Sequence, residues 1–212
     1  MLNRLKPELL SKIKAVSHEQ KLAKGETLFL EGRIPHSVFF VLKGKLKLFT
    51  TDQQGREQIV HLASTGDLMG YRAVLGADSF SCSAAALEDA VVLNVPKDAF
   101  LNVLDSDADF SFAVIRLLTR ELRDAEHHLA GLARKPVREH IAEVLLVLAD
   151  KFGYEADGET INVTLSREEI AGLVGTATET VIRLLHAMQN EGLLNIAGKK
   201  IRLTNKEALR KI

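Results

Sequence analysis

A chain of 212 residues that is 46% hydrophobic and 26% charged has room for one large or two modest domains, each able to bury a core without disulfide staples. Its 28 basic and 28 acidic residues balance, which excludes a global basic field, and its single cysteine, Cys82, excludes an internal disulfide and a four-cysteine zinc or iron–sulfur site. The opening stretch MLNRLKPELLSKIKAV is too charged for a signal peptide and no apolar run approaches membrane length, so the expectation is a cytoplasmic protein with no membrane partner.

In chain order, residues 3–17 predict a short amphipathic helix with Leu5, Leu9, Leu10, Ile13 and Val16 on one side. From Gln20 the period changes. Glycines at 25, 32, 44, 55 and 66 punctuate runs that read as strands: Thr27–Leu30, Val38–Leu42, Leu46–Thr50 and Gln58–Ala63, followed by Ser81–Leu87 and Ala90–Val95. Short strands at that spacing with glycine turns predict a sandwich or barrel.

Residues 107–132 predict one long helix of about 40 Å. Ile115, Leu118, Leu122, Ala125, Leu129 and Leu132 alternate spacings of three and four, the pattern of a seam between two helices, so the stripe is read as a dimer seam; packing within the monomer is the other reading. In a parallel pairing Glu121 faces Glu126 of the other helix, so the apolar residues must hold the seam. A second line, Phe110, Val114 and Leu117, is placed against the strands. Ala133 to Pro136 marks a hinge, because proline opens a helix and disfavours helix before it. Val137–Phe152 predicts a helix with Ile141, Val144, Leu145 and Leu148 inward, Tyr154–Thr160 an acidic loop, and Ile161–Leu165 a strand.

The stretch Ser166–Glu191 spells two helices joined by a tight turn at Gly175. Ser166 precedes Glu169 by three residues and Thr176 precedes Glu179 by three, each the S/T-x-x-E pattern of a capping box. Ile170, Leu173 and Val174, then Val181, Leu184, Leu185 and Met188, are the inward positions, which leaves Ala177, Thr178, Glu179, Ile182, Arg183 and His186 on the free face of the second helix. A helix fits the major groove, where arginine bonds guanine O6 and N7 and a carboxylate accepts from cytosine N4. The blander readings are that Glu179 only closes its capping box and that Arg183 only pairs with Glu179 one turn away. Lys199, Lys200, Arg202, Lys206, Arg210 and Lys211, against Glu207 alone, make the C-terminal stretch locally basic.

SREEIAGLVGTATETVIRLLHAMQNEGLL resembles the helix-turn-helix of the Crp/Fnr family of bacterial transcription regulators. The segments GETLFLEG, VFFVLKGKLKLF, GREQIVHLASTGDLMG and SAAALEDAVVLNVPKDAF resemble, in that order, the cyclic-nucleotide-binding β-roll expected as its N-terminal partner. The resemblance implies an α+β protein: a sensor β-roll (jelly roll) over 1–106, a dimerisation helix and hinge over 107–135, and a winged helix-turn-helix over 136–212. Gly192 to Leu194 then ends the reader helix, Asn195–Gly198 forms a turn and Lys199–Leu203 is the second strand of the wing. It implies base contacts from Thr178, Glu179, Ile182 and Arg183, and backbone contacts from Ser166, Arg167, Thr176, Thr180, Lys199 and Lys200. The partners implied are palindromic double-stranded DNA, a second copy of the chain and, through the loop holding Glu155, Asp157 and Glu159, RNA polymerase. Thr178 departs from the arginine found there in the member that gave the family the first half of its name, so an identical half-site is not expected.

In the cAMP-binding branch a Gly-Glu pair, an Arg-Ser pair and Thr/Ser on the long helix cradle the cyclic phosphate. Here the effector-pocket candidates are Gly70, Tyr71, Arg72, Phe80, Ser81, Cys82 and Ser83. Tyr71 stands in the glutamate position, Phe80 in the arginine position and Ala125-Glu126 in the Thr/Ser positions, so a buried phosphate would lack its cation. No cofactor is expected, and the chain reads as a regulator unresponsive to cAMP. The alternatives are an anionic effector held by Arg72, Ser81 and Ser83, or haem on one of His18, His36, His61, His127 and His128. Cys82 reads as small apolar filler, since nothing basic beside it favours a thiolate. No metal constellation, nucleophile elbow or phosphate loop points to an enzyme.

Overall fold

The computed structural model describes residues 6–132 and 136–212, with residues 127–132 described by their backbone alone. The chain divides into two compact units, residues 1–50 with 60–125 and residues 51–59 with 126–212.

The first unit begins with α1 (Pro7–Val16), which has proline at its first position, where the missing N–H costs nothing. Leu5, expected on the inner face of this helix, lies outside the described residues. Eight strands follow: β1 (His18–Leu22), β2 (Thr27–Phe29), β3 (Ser37–Lys43), β4 (Lys45–Thr51), β5 (Glu57–Ser64), β6 (Leu68–Met69), β7 (Ser83–Ala86) and β8 (Ala90–Pro96). They form two four-stranded sheets of order β1-β8-β3-β6 and β2-β7-β4-β5. Between β6 and β7 lies α2 (Tyr71–Gly76), and after β8 come α3 (Lys97–Ser106) and α4 (Ala108–Leu132).

β3 explains the layering. Phe39 and Val41 point into the core between the sheets, with Phe29, Leu46, Leu48 and Val92. Val38 and Phe40 point to the opposite face, where Ile13, Phe100, Phe110 and Val114 of the helices cover them. A strand buried on both faces reads as a continuous apolar run, VFFVL, rather than an alternation. Phe110, Val114 and Leu117 pack on this outer cluster as expected. Leu118 packs there too, so one residue of the proposed seam is drawn into the protomer. The long helix is capped by Asp107, whose carboxylate accepts from the amides of Asp109 (3.1 Å) and Phe110 (3.2 Å).

Gly44 turns β3 into β4 with φ +92°, and a Cβ there would lie 2.8 Å from Ala90 and from the Asp89 carbonyl. We expect Gly44→Ala to lose about 2–4 kcal/mol, from left-handed strain plus overpacking. Gly25→Ala, at φ +84° with nothing within 4 Å, should lose only the strain of about 1–2 kcal/mol. Urea unfolding of the two variants checks this; equal losses would mean that the close approach at Gly44 relaxes freely.

In the second unit, α5 (Val137–Phe152) starts after Pro136. α6 (Arg167–Val174) and α7 (Thr178–Asn190) follow, then β9 (Leu194–Ala197), β10 (Lys200–Leu203) and α8 (Lys206–Leu209). Ile141, Leu145, Leu148, Ile170, Val181, Leu185, Met188, Leu194 and Ile201 are among its buried residues. Two expectations about the wing are corrected. Asn195–Ala197 is strand rather than turn, because Leu194 and Ile196 pair with Leu203 and Ile201 and share their inner face; the turn is only Gly198-Lys199, with Gly198 at φ +60°. Ile161–Leu165 forms no regular strand. Its amides fold back, Asn162 to the Gly153 carbonyl and Val163 to that of Ile161, leaving isolated bridges Tyr154–Ile161 and Thr160–Arg202. The linker residues 133–135 lie outside the described residues.

Candidate nucleic-acid interface

α6 begins with the capping box its sequence announces: the Glu169 amide donates to Ser166 Oγ (3.0 Å) and the Ser166 amide to Glu169 Oε2 (2.7 Å). The second box does not form. Gly175, in the left-handed region at φ +72°, ends α6, and the amides of both Gly175 and Thr176 return to the Ala171 carbonyl. Thr176 is therefore spent in closing the first helix. α7 starts two residues later with Ala177 as its N-cap and no side-chain cap.

That shift releases Glu179. It sits in the first turn of α7 with its carboxylate outward, and Ala177, Glu179, Ile182, Arg183 and His186 are all exposed. Among the described residues Glu179 and Arg183 form no ion pair with each other. Thr178 and Thr180 are half-buried at the edges of this face, while Val181, Leu185 and Met188 anchor the opposite one.

Three side chains hold the reader helix and the wing in ways the sequence did not announce. Arg138, in the first turn of α5, forms a two-point ion pair with Glu191 at the end of α7, Nη1 donating to Oε1 at 2.8 Å and Nη2 to Oε2. The pair draws the carboxyl of Glu191 below its usual range. Gln189 Oε1 accepts from the Ile196 amide (2.9 Å), fixing the exit from α7 into β9. Arg167 donates from Nη2 to the Gly198 carbonyl (2.9 Å) at the wing turn, and burial lowers its pKa. These partners are 53, 7 and 31 residues apart, and no local pattern marks them.

The wing is less cationic than its sequence. Lys200 Nζ donates to Glu155 (2.8 Å), Arg202 donates to Glu159 from Nε (2.6 Å) and approaches it with Nη2 (2.5 Å), and Arg210 donates to Glu207 (2.8 Å). Lys206 lies 3.6 Å from the centre of the Tyr154 ring and donates to the Gly158 carbonyl. The loop that supplies the carboxylates is ordered: Asp157 accepts from the amides of Glu159 and Thr160 and from the Thr160 hydroxyl, which lowers its pKa to about 2. Lys199, at the turn, is exposed and has no ion-pair partner among the described residues.

In the first unit the effector-pocket candidates other than Ser83 converge on a cavity of about 30 Å³, which Phe29 and Glu121 also border. Phe80 stacks on Phe29 at 4.1 Å, and a Cβ on Gly70 would meet the Phe80 ring at 3.2 Å, so aromatic rings pack closely against Gly70 at the cavity wall. Tyr71 is buried among the core residues. Among the described residues its hydroxyl makes no hydrogen bond of good geometry, and burial, with the Glu121 carboxylate nearby, raises its pKa. Arg72 faces Glu121 of α4 at 3.7 Å. Ser83 Oγ accepts from the Glu31 amide (3.0 Å), and only Ser81 of the two serines is exposed. Cys82 is buried, and burial pushes its thiol pKa up. His18 and His36 are exposed on the surface, and His61 borders the cavity. The side chains of His127 and His128, like those of Leu129 and Leu132, lie outside the described residues. Among the described residues no group of three His, Cys, Asp or Glu side chains could hold a metal, and no helix is long and apolar enough to cross a membrane.

Residues 19–107 match the family described as the cyclic nucleotide-binding domain, and residues 139–212 match the Crp-like helix-turn-helix domain. The chain is 29% identical over 188 residues to the CRP-like cAMP-activated global transcriptional regulator of Mycobacterium tuberculosis (strain H37Rv), covering 88% of this chain and 84% of that protein. It is 28% identical over 195 residues to the fumarate and nitrate reduction regulatory protein of Escherichia coli (strain K12), covering 92% and 78%. Among solved structures, FixK2 from Bradyrhizobium japonicum aligns with a TM-score of 0.83 at 26% identity, over 92% of this chain and 96% of that one. With a β-roll, a long helix and a winged helix-turn-helix in that order, and both domain matches in register with them, the chain belongs to the Crp/Fnr family of transcription regulators.

Proposed function

We propose that the chain is a cytoplasmic, homodimeric, sequence-specific DNA-binding regulator that reads a palindromic duplex through the exposed face of α7. The observation that carries this reading is the release of Glu179: freed from a capping role and unpaired with Arg183, it stands beside that arginine on the solvent-facing side of α7. Thr178 and Ile182 complete the base-facing set. Ser166, Arg167, Thr176, Thr180 and Lys199 flank it as backbone contacts; Lys200 is a weaker candidate because Glu155 already neutralises it. The test is selection of binding sites from random duplex DNA. A two-fold symmetric consensus supports the reading, and recovery of unrelated sequences refutes it. The loop from Tyr154 to Thr160, the candidate contact for RNA polymerase, directs Glu155 and Glu159 to its own wing and Asp157 to its own turn.

The β-roll does not fit a cyclic nucleotide. A phosphate entering beside Arg72 would meet the Glu121 carboxylate and the Phe80 ring, and a buried phosphate deprived of its cation loses at least a few kcal/mol, which at 1.4 kcal/mol per tenfold is a factor of hundreds or more. Titration calorimetry with cAMP and cGMP should therefore give no saturable heat in the micromolar range. The second reading, an anionic effector on Arg72, draws on that side chain being half exposed and its ion pair being loose at 3.7 Å. A saturable heat that disappears in Arg72→Ala would establish it.

A further inference from the structure

We infer that the acidic loop from Tyr154 to Thr160 is an internal competitor for the DNA backbone, with Glu155 and Glu159 holding Lys200 and Arg202 away from phosphate and thereby setting the ratio of specific to non-specific binding. The inference rests on the DNA-binding reading above. Its ground is a coincidence of sign, spacing and rigidity. Residues 200 and 202 of β10 project from its outer face, opposite the buried Ile201 and Leu203, where the basic side chains of a wing are free to meet a duplex. Both are already matched by a carboxylate at hydrogen-bond distance, Lys200 by Glu155 (2.8 Å) and Arg202 by Glu159 (2.6 Å).

The loop is built to present those carboxylates. Asp157 closes its turn through three bonds, Gly158 takes φ +72°, the Glu155 amide donates to the Thr160 carbonyl, and Thr160 bridges directly to Arg202. An exposed ion pair between two mobile side chains contributes little, because holding both in place costs entropy. Here the backbone has already ordered the acidic partner. The wing thus reaches DNA with Lys199 as its uncompensated cation, and discrimination falls to α7, whose contacts depend on base sequence. Phosphate contacts made by Lys200 and Arg202 would instead strengthen binding to every sequence alike.

Salt dependence reads this directly, because each phosphate neutralised contributes about 0.9 to the slope of log K against log salt concentration. In the full chain, Glu155→Gln with Glu159→Gln keeps the shape of both side chains and removes their charge. Fluorescence anisotropy with a random-sequence duplex should show a slope steeper by about 1.8 per bound protomer, and the ratio of affinities for the selected site and random DNA should fall. A complementary pair, Lys200→Gln with Arg202→Gln in the otherwise native chain, should leave the slope nearly unchanged, while Lys199→Ala lowers it by about 0.9. An unchanged slope in the glutamine variant, or a loss of about 1.8 when Lys200 and Arg202 are removed, would overturn the inference while leaving DNA binding intact. Absence of DNA binding by the native chain would overturn the reading beneath it, and this inference with it.

Discussion

With Ile115→Glu and Leu122→Glu together, the chain should run as a monomer in light scattering and lose nearly all affinity for a palindromic site. Both residues lie on α4 with more than half of their surface exposed, Ile115 53% and Leu122 61%, and Phe112 beside them is 58% exposed. Apolar area buried between two copies contributes roughly 25 cal/mol per Å², so two carboxylates there replace attraction by repulsion across the two-fold axis. A two-fold pair of reader helices contacts half-sites about 34 Å apart, and a monomer holds one of them. If the dimer binds in the nanomolar range, half of that free energy corresponds to tens of micromolar, a loss of roughly ten-thousandfold. Leu118 is left alone because it packs on its own protomer's core, where a change would confuse assembly with stability. A double variant that remains dimeric and still binds the palindrome would move the seam elsewhere.

Arg183→Ala should lose about 1–3 kcal/mol of specific binding and relax the preference at one G·C pair, while leaving random-sequence affinity almost as it was. The side chain is exposed on α7 and has no ion-pair partner among the described residues, so its removal should change stability by no more than about 0.5 kcal/mol. Lys199→Ala should weaken selected and random duplexes equally, since a phosphate contact carries no sequence information. Anisotropy titrations on both duplexes at one salt concentration separate the two. Equal losses for Arg183→Ala on specific and random DNA would remove it from the base-reading set.

The strands of the β-roll were legible because glycine punctuates them: Gly25, Gly32, Gly44, Gly55 and Gly66 all take positive φ, and the apolar runs between them are the buried strands. The reader helix was legible from its 3.6-residue period, which survived even though its capping box did not form. What escaped was decided by contacts distant in sequence or by very short elements. β6 is two residues long, and α2 has too few turns to show a period. Thr176 looked like a cap because pattern alone cannot tell which helix claims its amide. The charge of the wing is hidden for the same reason: Lys200 and Arg202 look free in the sequence, and their partners stand 45 and 43 residues away. Leu118 has the spacing of a seam residue, yet it lies beside Leu117 at the edge of the inward line, where one helix face passes into the other.

The two-point pair between Arg138 and Glu191 has a mechanical consequence. A planar guanidinium gripping both carboxylate oxygens restrains orientation as well as distance, so the C-cap of α7 is tied to the first turn of α5 at two points. The start of α5 is also where the chain enters from Pro136. A displacement imposed at that entry would therefore reach the C-terminal end of α7 through this pair, and Arg138→Lys, which keeps the charge but not the two-point grip, should weaken that link.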